Sequence, residues 1–328
     1  LPLGVAPKTV AAALAEHPEA LAVFVGDPSY VGTVGDVRGL AQAAHAHGVP
    51  LIVDAAWAAH FGFHPDLPPH PLQCGADAMV TSAHKTLPAW SQAALVLART
   101  ERIDPARLDV GVEATATTSP AGAILASIDA SRALLERDGR VLLTEAIAAT
   151  HAARERLKQV KGLVVLDGPG VDPVKLTLVL SGTGADGNAV EQDLIAAGMP
   201  VESADRDVLV AIVSLADTHA TLARLADQIA VSIDRHRGDA RPPVEPAAYS
   251  VEPEVVVPPR EAFFAVAEPV GVRAAVGRIS AELIAPYPPG IPVLAPGEEV
   301  TPSVIEALDS ARSAGIRIAY AADPTLST

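Results

Sequence analysis

Ser82, His84 and Lys85 stand within four positions of one another in the stretch TSAHKTLPAW, directly after the apolar run ADAMV. A lysine at the end of a buried strand is costly to desolvate unless something uses it. Such a lysine can form a Schiff base with a carbonyl compound. Asp54 ends an earlier apolar run, VPLIVD, one crossover's length upstream. A carboxylate there can keep a pyridine nitrogen protonated, so that the ring accepts the electron pair released when a bond to an amino-acid Cα breaks. Favouring the pyridinium by about 3 pKa units is worth roughly 4 kcal/mol. The plainer alternative is a structural ion pair, or two unrelated strand-end residues. Ser82 and His84 could bind a phosphate or cover a ring face; they could equally be ordinary turn residues.

Three other stretches carry chemistry-bearing residues. HFGFHPDLPPHPLQC holds His60, His64, His70 and Cys74. The spacing matches no tight zinc signature, and the prolines predict a surface loop, so no metal is expected. GTGADG, Gly182 to Gly187, matches G-x-G-x-x-G between a strand and a helix. The preceding KLTLVLSG is half-polar, and Glu202 is a poor acidic strand end, so a glycine-rich turn with Asn188 as N-cap is the expectation. YPPGIP, Tyr287 to Pro292, is a rigid frame that has little conformational entropy to lose.

The elements that must position these residues follow from the pattern. LAVFV (Leu21 to Val25) predicts a strand, Asp36 caps a following helix and Gly48 ends it, and VPLIVD (Val49 to Asp54) is the next strand. That is a βαβ unit with a right-handed crossover. ADAMVTS and QAALVLA predict two more strands. The runs are apolar throughout, as for a parallel sheet covered on both faces. Asp27, Asp54 and Ser82–Lys85 all follow strand C-terminal ends, where open α/β sheets bind ligands. Ser119 to Val160 has helical spacing, in two runs, AILASIDASRALLERDG and RVLLTEAIAATHAARERLKQV. From Gly162, GLVVLD, VKLTLVLSG and VLVAIVSL predict strands, with helices over NAVEQDLIAAG and HATLARLADQIAVSIDRH. Arg241 to Pro259 carries six prolines and is expected to be an extended linker.

The totals exclude several function classes. With 24 basic and 39 acidic residues the net charge is −15, which opposes binding to a phosphate backbone and suits a cationic small molecule. One cysteine, Cys74, rules out an internal disulfide framework and suits a reducing cytoplasm. No apolar run approaches the ~20 residues of a membrane span, and no secretory leader opens the sequence. The chain begins at Leu1 rather than methionine, and is read as part of a longer protein.

DPSYVGTVGDV, then GVPLIVDAAWAAHFGFHPDLP, then GADAMVTSAHKTLPAWSQAALVL resembles the major domain of the ornithine/lysine/arginine decarboxylases. These are pyridoxal-phosphate enzymes of the aspartate-aminotransferase fold. DPVKLTLVLSGTGADGNAVEQDLIAAGMPVE resembles the segment that follows, and PREAFFA with GRISAELIAPYPPGIPVLAPGEEVT their C-terminal domain. The resemblance implies that Lys85 is the Schiff-base lysine and Asp54 the partner of the pyridine nitrogen. It puts Ser82 and His84 near the cofactor phosphate, Ser29 near the cofactor, and Trp57 or His60 in the stretch that usually reads Asp-Glu-Ala-His or Asp-Glu-Ala-Trp. Two departures stand out: the usual glutamate after the aspartate is Ala55, and the serine/threonine-rich phosphate cradle and ring-stacking residue do not occur before Leu21.

The expectation is an α/β protein of the type I pyridoxal-phosphate class. A partial, parallel-sheet major domain occupies 1–160, an α+β small domain 161–240, a linker 241–259 and a C-terminal decarboxylase module 260–328. The implied reaction is α-decarboxylation of ornithine, lysine or arginine to a polyamine precursor, by a cytoplasmic homodimer or larger oligomer. Aminotransfer by another type I enzyme, and a truncated non-catalytic subunit, remain the alternatives.

Overall fold

Four short apolar runs build the sheet that carries Asp54 and Lys85. The computed structural model describes residues 4–242, 251–287, 290–323 and 325–326. The chain divides into two compact units: Leu1–Val160 with Val165–Thr177 and Val210–Gln228, and Lys161–Val164 with Leu178–Leu209 and Ile229–Thr328. In chain order, the first elements are α1 (Pro7–Glu16), β1 (Val23–Gly26), α2 (Val37–Ala46), β2 (Leu51–Asp54), β3 (Ala78–Thr81), α3 (Ala83–Thr86), β4 (Leu95–Ala98), α4 (Pro105–Thr115) and α5 (Gly122–Leu157). β5 (Val164–Val165), β6 (Lys175–Val179), α6 (Gly187–Ala196), β7 (Ser203–Ala204), β8 (Val208–Ile212) and α7 (His219–Arg235) follow. α8 (Pro259–Phe264), β9 (Ala285–Tyr287), α9 (Pro302–Ser313) and β10 (Arg317–Ala319) come last.

The first sheet has the order β1-β2-β3-β4. β1, β2 and β3 run parallel, with Gly26 opposite Asp54 and Asp54 opposite Val80. β4 runs antiparallel to β3, a common edge on an otherwise parallel sheet. α2 begins where Asp36 accepts a hydrogen bond from the Gly39 amide at 2.9 Å, and Gly48 turns the chain at φ 75°. Its Val37, Leu40, Ala41 and Ala44 bury against Leu51, Val53 and Met79, one face of the sheet. The other face differs from the expected double cover: Phe24, Val80 and Val96 are exposed. An unbroken apolar run cannot say whether both its faces find a partner.

The two helical runs expected between Ser119 and Val160 are one 36-residue helix, α5. Gly139 lies inside it and is buried, where a side chain would meet Leu135. A single glycine costs a helix only about 1 kcal/mol, which packing here offsets. Leu135 and Leu143 of α5 bury with Leu67. α4, a helix that periodicity did not predict, buries no residue.

β5 to β8 form a second four-stranded sheet in the order β5-β6-β8-β7. The GTGADG segment is a turn, with Gly184 in the left-handed region at φ 74°. Asp186, not Asn188, caps α6: its carboxylate accepts from the Asn188 amide at 2.8 Å. The helix begins at Gly187, one residue earlier than expected, so Asp186 occupies the capping position and Asn188 lies inside the first turn. In the C-terminal part, β10 pairs antiparallel with β9 and α9 packs Val304, Leu308 and Ala311 onto Val293, Leu294 and Ile318. Residues 243–250 of the expected linker, and Pro288 and Pro289 of YPPGIP, lie outside the described residues. The rest of the expected linker is tied down locally, with the Val256 and Val257 amides both donating to Gly297 O.

Candidate active site

Three loops leave the C-terminal ends of β1, β2 and β3. Each carries a residue singled out above. Asp27 follows β1 and donates its amide to Asp54 O at 2.9 Å. Asp54 ends β2, and its carboxylate accepts from the Ala56 amide at 3.1 Å through Oδ1. That turn throws Trp57 over the sheet end. β3 ends at Thr81, whose hydroxyl donates to Ala55 O at 2.8 Å and pins the same turn from the other side. The Ala55 side chain is wholly buried there, in the core with Val53 and Met79.

The short helix α3 then presents Lys85. Its Nζ lies 4.5 Å from the centre of the Trp57 ring, within cation–π range. Lys85 is half-buried, so the ammonium keeps access to a ligand. Ser82 caps α3 by position, but its hydroxyl makes no capping hydrogen bond. His84 donates Nδ1–H to Ala93 O at 2.8 Å, which turns Nε2 away from that carbonyl. The hydroxyl of Thr86, next to Lys85, is buried with no hydrogen-bond partner among the described residues. A buried hydroxyl left without a partner costs about 1–3 kcal/mol.

Ser29 sits in a closed turn. Its hydroxyl lies 2.6 Å from that of Thr33 and accepts from the Thr33 amide at 3.1 Å. Of the two ring residues weighed for the stretch after Asp54, Trp57 stands beside Lys85 and His60 does not. His60 is buried and donates Nε2–H to Asp172 at 3.1 Å. The metal candidates go to separate partners: His64 bonds to Thr144, His70 accepts from the Leu72 amide, and Cys74 is buried. Burial pushes the Cys74 thiol up; Arg38 pulls it down, and Asp27 and Asp36 add to the rise. Burial also lowers the His70 imidazole.

Sequence reasoning missed the group beneath Trp57. Residues 170–177 are zipped to the loop after β1: the Val34 amide donates to Gly170 O, the Asp172 amide to Gly32 O, and the Thr177 hydroxyl to Val31 O. This brings Lys175, 2% exposed, to 3.6 Å from the centre of the Trp57 ring. Arg154 of α5 donates to the carbonyls of Asp172 and Lys175 at 2.8 and 2.7 Å. Burial pulls the Asp172 carboxyl up, but the charge and hydrogen bond of His60, the Val174 amide and the charge of Lys175 together hold it below the usual carboxylate range. The one available signal was a lysine interrupting the apolar run VKLTLVL.

Solved structures share this fold. The chain superposes on serine palmitoyltransferase with PLP at a TM-score of 0.56 and 17% identity, covering 70% of this chain and 59% of that one. It superposes on the constitutive lysine decarboxylase of E. coli at a TM-score of 0.70 and 20% identity, covering 91% of this chain and 56% of that one. The fold is that of the type I pyridoxal-phosphate-dependent enzymes. Residues 3–168 match the family model of the Orn/Lys/Arg decarboxylase major domain, and residues 243–316 that of the C-terminal domain. An arginine decarboxylase of Bacillus subtilis is 30% identical over 98% of this chain and 68% of its own length. One of Halalkalibacterium halodurans is 31% identical over 99% and 68%. The chain belongs to the Orn/Lys/Arg decarboxylase family.

Proposed function

We propose that this chain carries the catalytic lysine of a pyridoxal-phosphate-dependent decarboxylase acting on a basic amino acid, with a polyamine precursor as product. One arrangement supports the reading: Lys85 Nζ, on the short helix after β3, lies against Trp57, three residues past Asp54 at the end of β2, and β2 and β3 are neighbouring parallel strands. The residues fit the cofactor. A half-buried amine, a carboxylate with one oxygen not engaged by the Ala56 amide, an aromatic wall and an orphan hydroxyl at Thr86 are the donors and acceptors it needs. When bound, pyridoxal phosphate supplies a carbonyl for the amine and a ring that accepts the electron pair left by departing CO2.

The side chains have separate tasks. Lys85 would be the amine that holds the cofactor through its carbonyl group. The Asp54 carboxylate holds a proton at the pyridine nitrogen. Trp57 forms one wall beside the Lys85 amine. Ser82 and the Nε2 of His84 would serve as hydrogen-bonding groups for the phosphate, and Ser29 as a further hydroxyl near the cofactor. The net charge of −15 attracts a cationic substrate. The relatives named arginine decarboxylase favour arginine within the class. No helix among the described residues is long and apolar enough to cross a membrane. We infer a cytoplasmic homodimer, supported by the single cysteine and by the uncovered apolar sheet face.

The test is product analysis. The purified chain is supplied with pyridoxal phosphate and ornithine, lysine or arginine in turn. CO2 and the matching amine are the expected products. Keto acid in place of CO2 would move the assignment to aminotransfer, and no turnover with no retained cofactor would leave a non-catalytic subunit.

A further inference from the structure

The buried ammonium of Lys175 has no place in the reaction outlined above, yet it lies closer to Trp57 than Lys85 does: 3.6 Å against 4.5 Å to the same ring centre. Its approach is built in several independent ways. Gly32 lines the path of the lysine stem; a Cβ there would fall 2.7 Å from Lys175 Cγ, and the residue has φ 87°. Arg154 holds the carbonyls of Asp172 and Lys175, so the backbone on which the lysine rides is clamped from α5. His60, three residues after Trp57, donates to Asp172, three residues before Lys175. The Trp57 turn and the 172–175 segment therefore touch at two points, one polar and one cation–π. Tyr30 closes the third side, edge-on to Trp57 at 5.4 Å between ring centres, and its own ring lies 5.7 Å from Lys175 Nζ.

A cation over an indole face restrains the ring, because the attraction falls off when the ring tilts away from the charge. In a desolvated setting that restraint is stronger than at a surface. Lys175 is 2% exposed, so it cannot meet a substrate directly. What it can set is the plane of Trp57, and with it the surface against which Lys85 rests.

We propose that Lys175 is a positioning residue: it fixes the Trp57 ring, and the ring fixes the Lys85 amine for capture of the cofactor carbonyl. This rests on the decarboxylase reading for its second half only. The orientation of Trp57 is a property of the chain itself.

The experiment uses a Trp90→Phe background, which leaves Trp57 as the one tryptophan of the two in the chain. Trp90 is 69% exposed. Lys175→Met and Lys175→Arg are compared with that parent. Time-resolved fluorescence anisotropy of Trp57, without added cofactor, reads ring mobility. Borohydride trapping followed by peptide mass mapping reads the rate at which Lys85 captures pyridoxal 5′-phosphate. The methionine variant is expected to free the ring on the nanosecond scale and to slow capture about tenfold. The arginine variant, which keeps a cation at the ring, is expected to recover at least half of both. A methionine variant with unchanged anisotropy and capture within about twofold of the parent overturns the proposal, and so does an arginine variant as impaired as methionine. If the methionine variant does not fold, Trp57→Leu in the otherwise unsubstituted chain decides: capture slowed about tenfold supports the proposal, and capture within about twofold overturns it. If the parent itself captures no cofactor, the decarboxylase reading fails, while the anisotropy response still decides whether Lys175 holds Trp57.

Discussion

Asp27 just past β1 and Asp54 at the end of β2 lie at neighbouring strand ends, but their surroundings separate them. Asp27 is 4% exposed, and its carboxyl is pushed up to about 6 by burial, against the pull of the Gly35 amide 2.5 Å away. It borders a cavity of about 200 Å³ together with Asp36, Arg38 and Cys74. A carboxyl whose pKa is raised in the folded state binds more protons folded than unfolded. Its stabilising effect is therefore complete below about pH 4 and is lost as pH rises through about 6. The Asp27→Asn variant is expected to gain roughly 2–3 kcal/mol over the parent at pH 7.5, and almost nothing at pH 4, in urea unfolding curves. At the proposed catalytic pair, Lys85→Ala is expected to abolish covalent retention of pyridoxal, read as loss of trapped cofactor in the peptide map. Asp54→Asn is expected to keep binding but to lower kcat by about 10³-fold, the equivalent of roughly 4 kcal/mol of lost pyridinium stabilisation. Unchanged kcat in the Asp54→Asn variant would remove the carboxylate from the mechanism.

Arg154 shows what one element contributes to another's loop. It lies on the buried side of α5, and burial pulls its guanidinium down while Asp167 and Asp172 pull it up. Besides the two carbonyls it donates to Asp167 at 3.0 Å, and Lys158 holds the other oxygen of that carboxylate at 2.7 Å. Replacing the guanidinium with an apolar chain removes its donors from two buried carbonyls, of which Asp172 O keeps only the Lys175 amide, and leaves the Asp167 carboxylate to Lys158 and the Gly168 amide. Arg154→Met is expected to cost roughly 3–5 kcal/mol, measured as a shift of the urea midpoint followed by Trp57 fluorescence. A shift below about 1 kcal/mol would mean that water replaces the donors. Gly32→Ala tests the same loop from the other side. The alanine must adopt a positive φ and displace the Lys175 stem, for a cost of roughly 1–3 kcal/mol. The positions of β1, α2 and β2 were within reach of the sequence, since apolar runs and the Asp36 and Gly48 signals bounded them. The antiparallel β4, the unbroken α5 and the unpredicted α4 were not, because strand direction and helix continuity depend on packing partners rather than on local pattern.

At the scale of the whole molecule the charge of −15 acts at a distance that no single contact reaches. Attraction of a cationic substrate is screened beyond about 10 Å at 0.1 M salt. For a basic amino acid, kcat/KM is expected to fall about threefold between 10 and 300 mM salt with kcat unchanged. A rise with salt would argue against a cationic substrate. The uncovered face bearing Phe24, Val80 and Val96 sets this sheet apart from the usual parallel sheet with both faces packed.

The amino-acid sequence by itself determined that Asp54 ends one strand and that Lys85 follows the C-terminal end of another, because strand runs, caps and turns are decided within a few residues of each other. Tertiary structure alone chose Trp57 over His60 as the neighbour of Lys85, joined His60 to Asp172, and slid Lys175 beneath the indole. Those last two contacts join residues more than a hundred positions apart, and only the packing of α5 and the 170–177 segment against the strand-end loops brings them within reach.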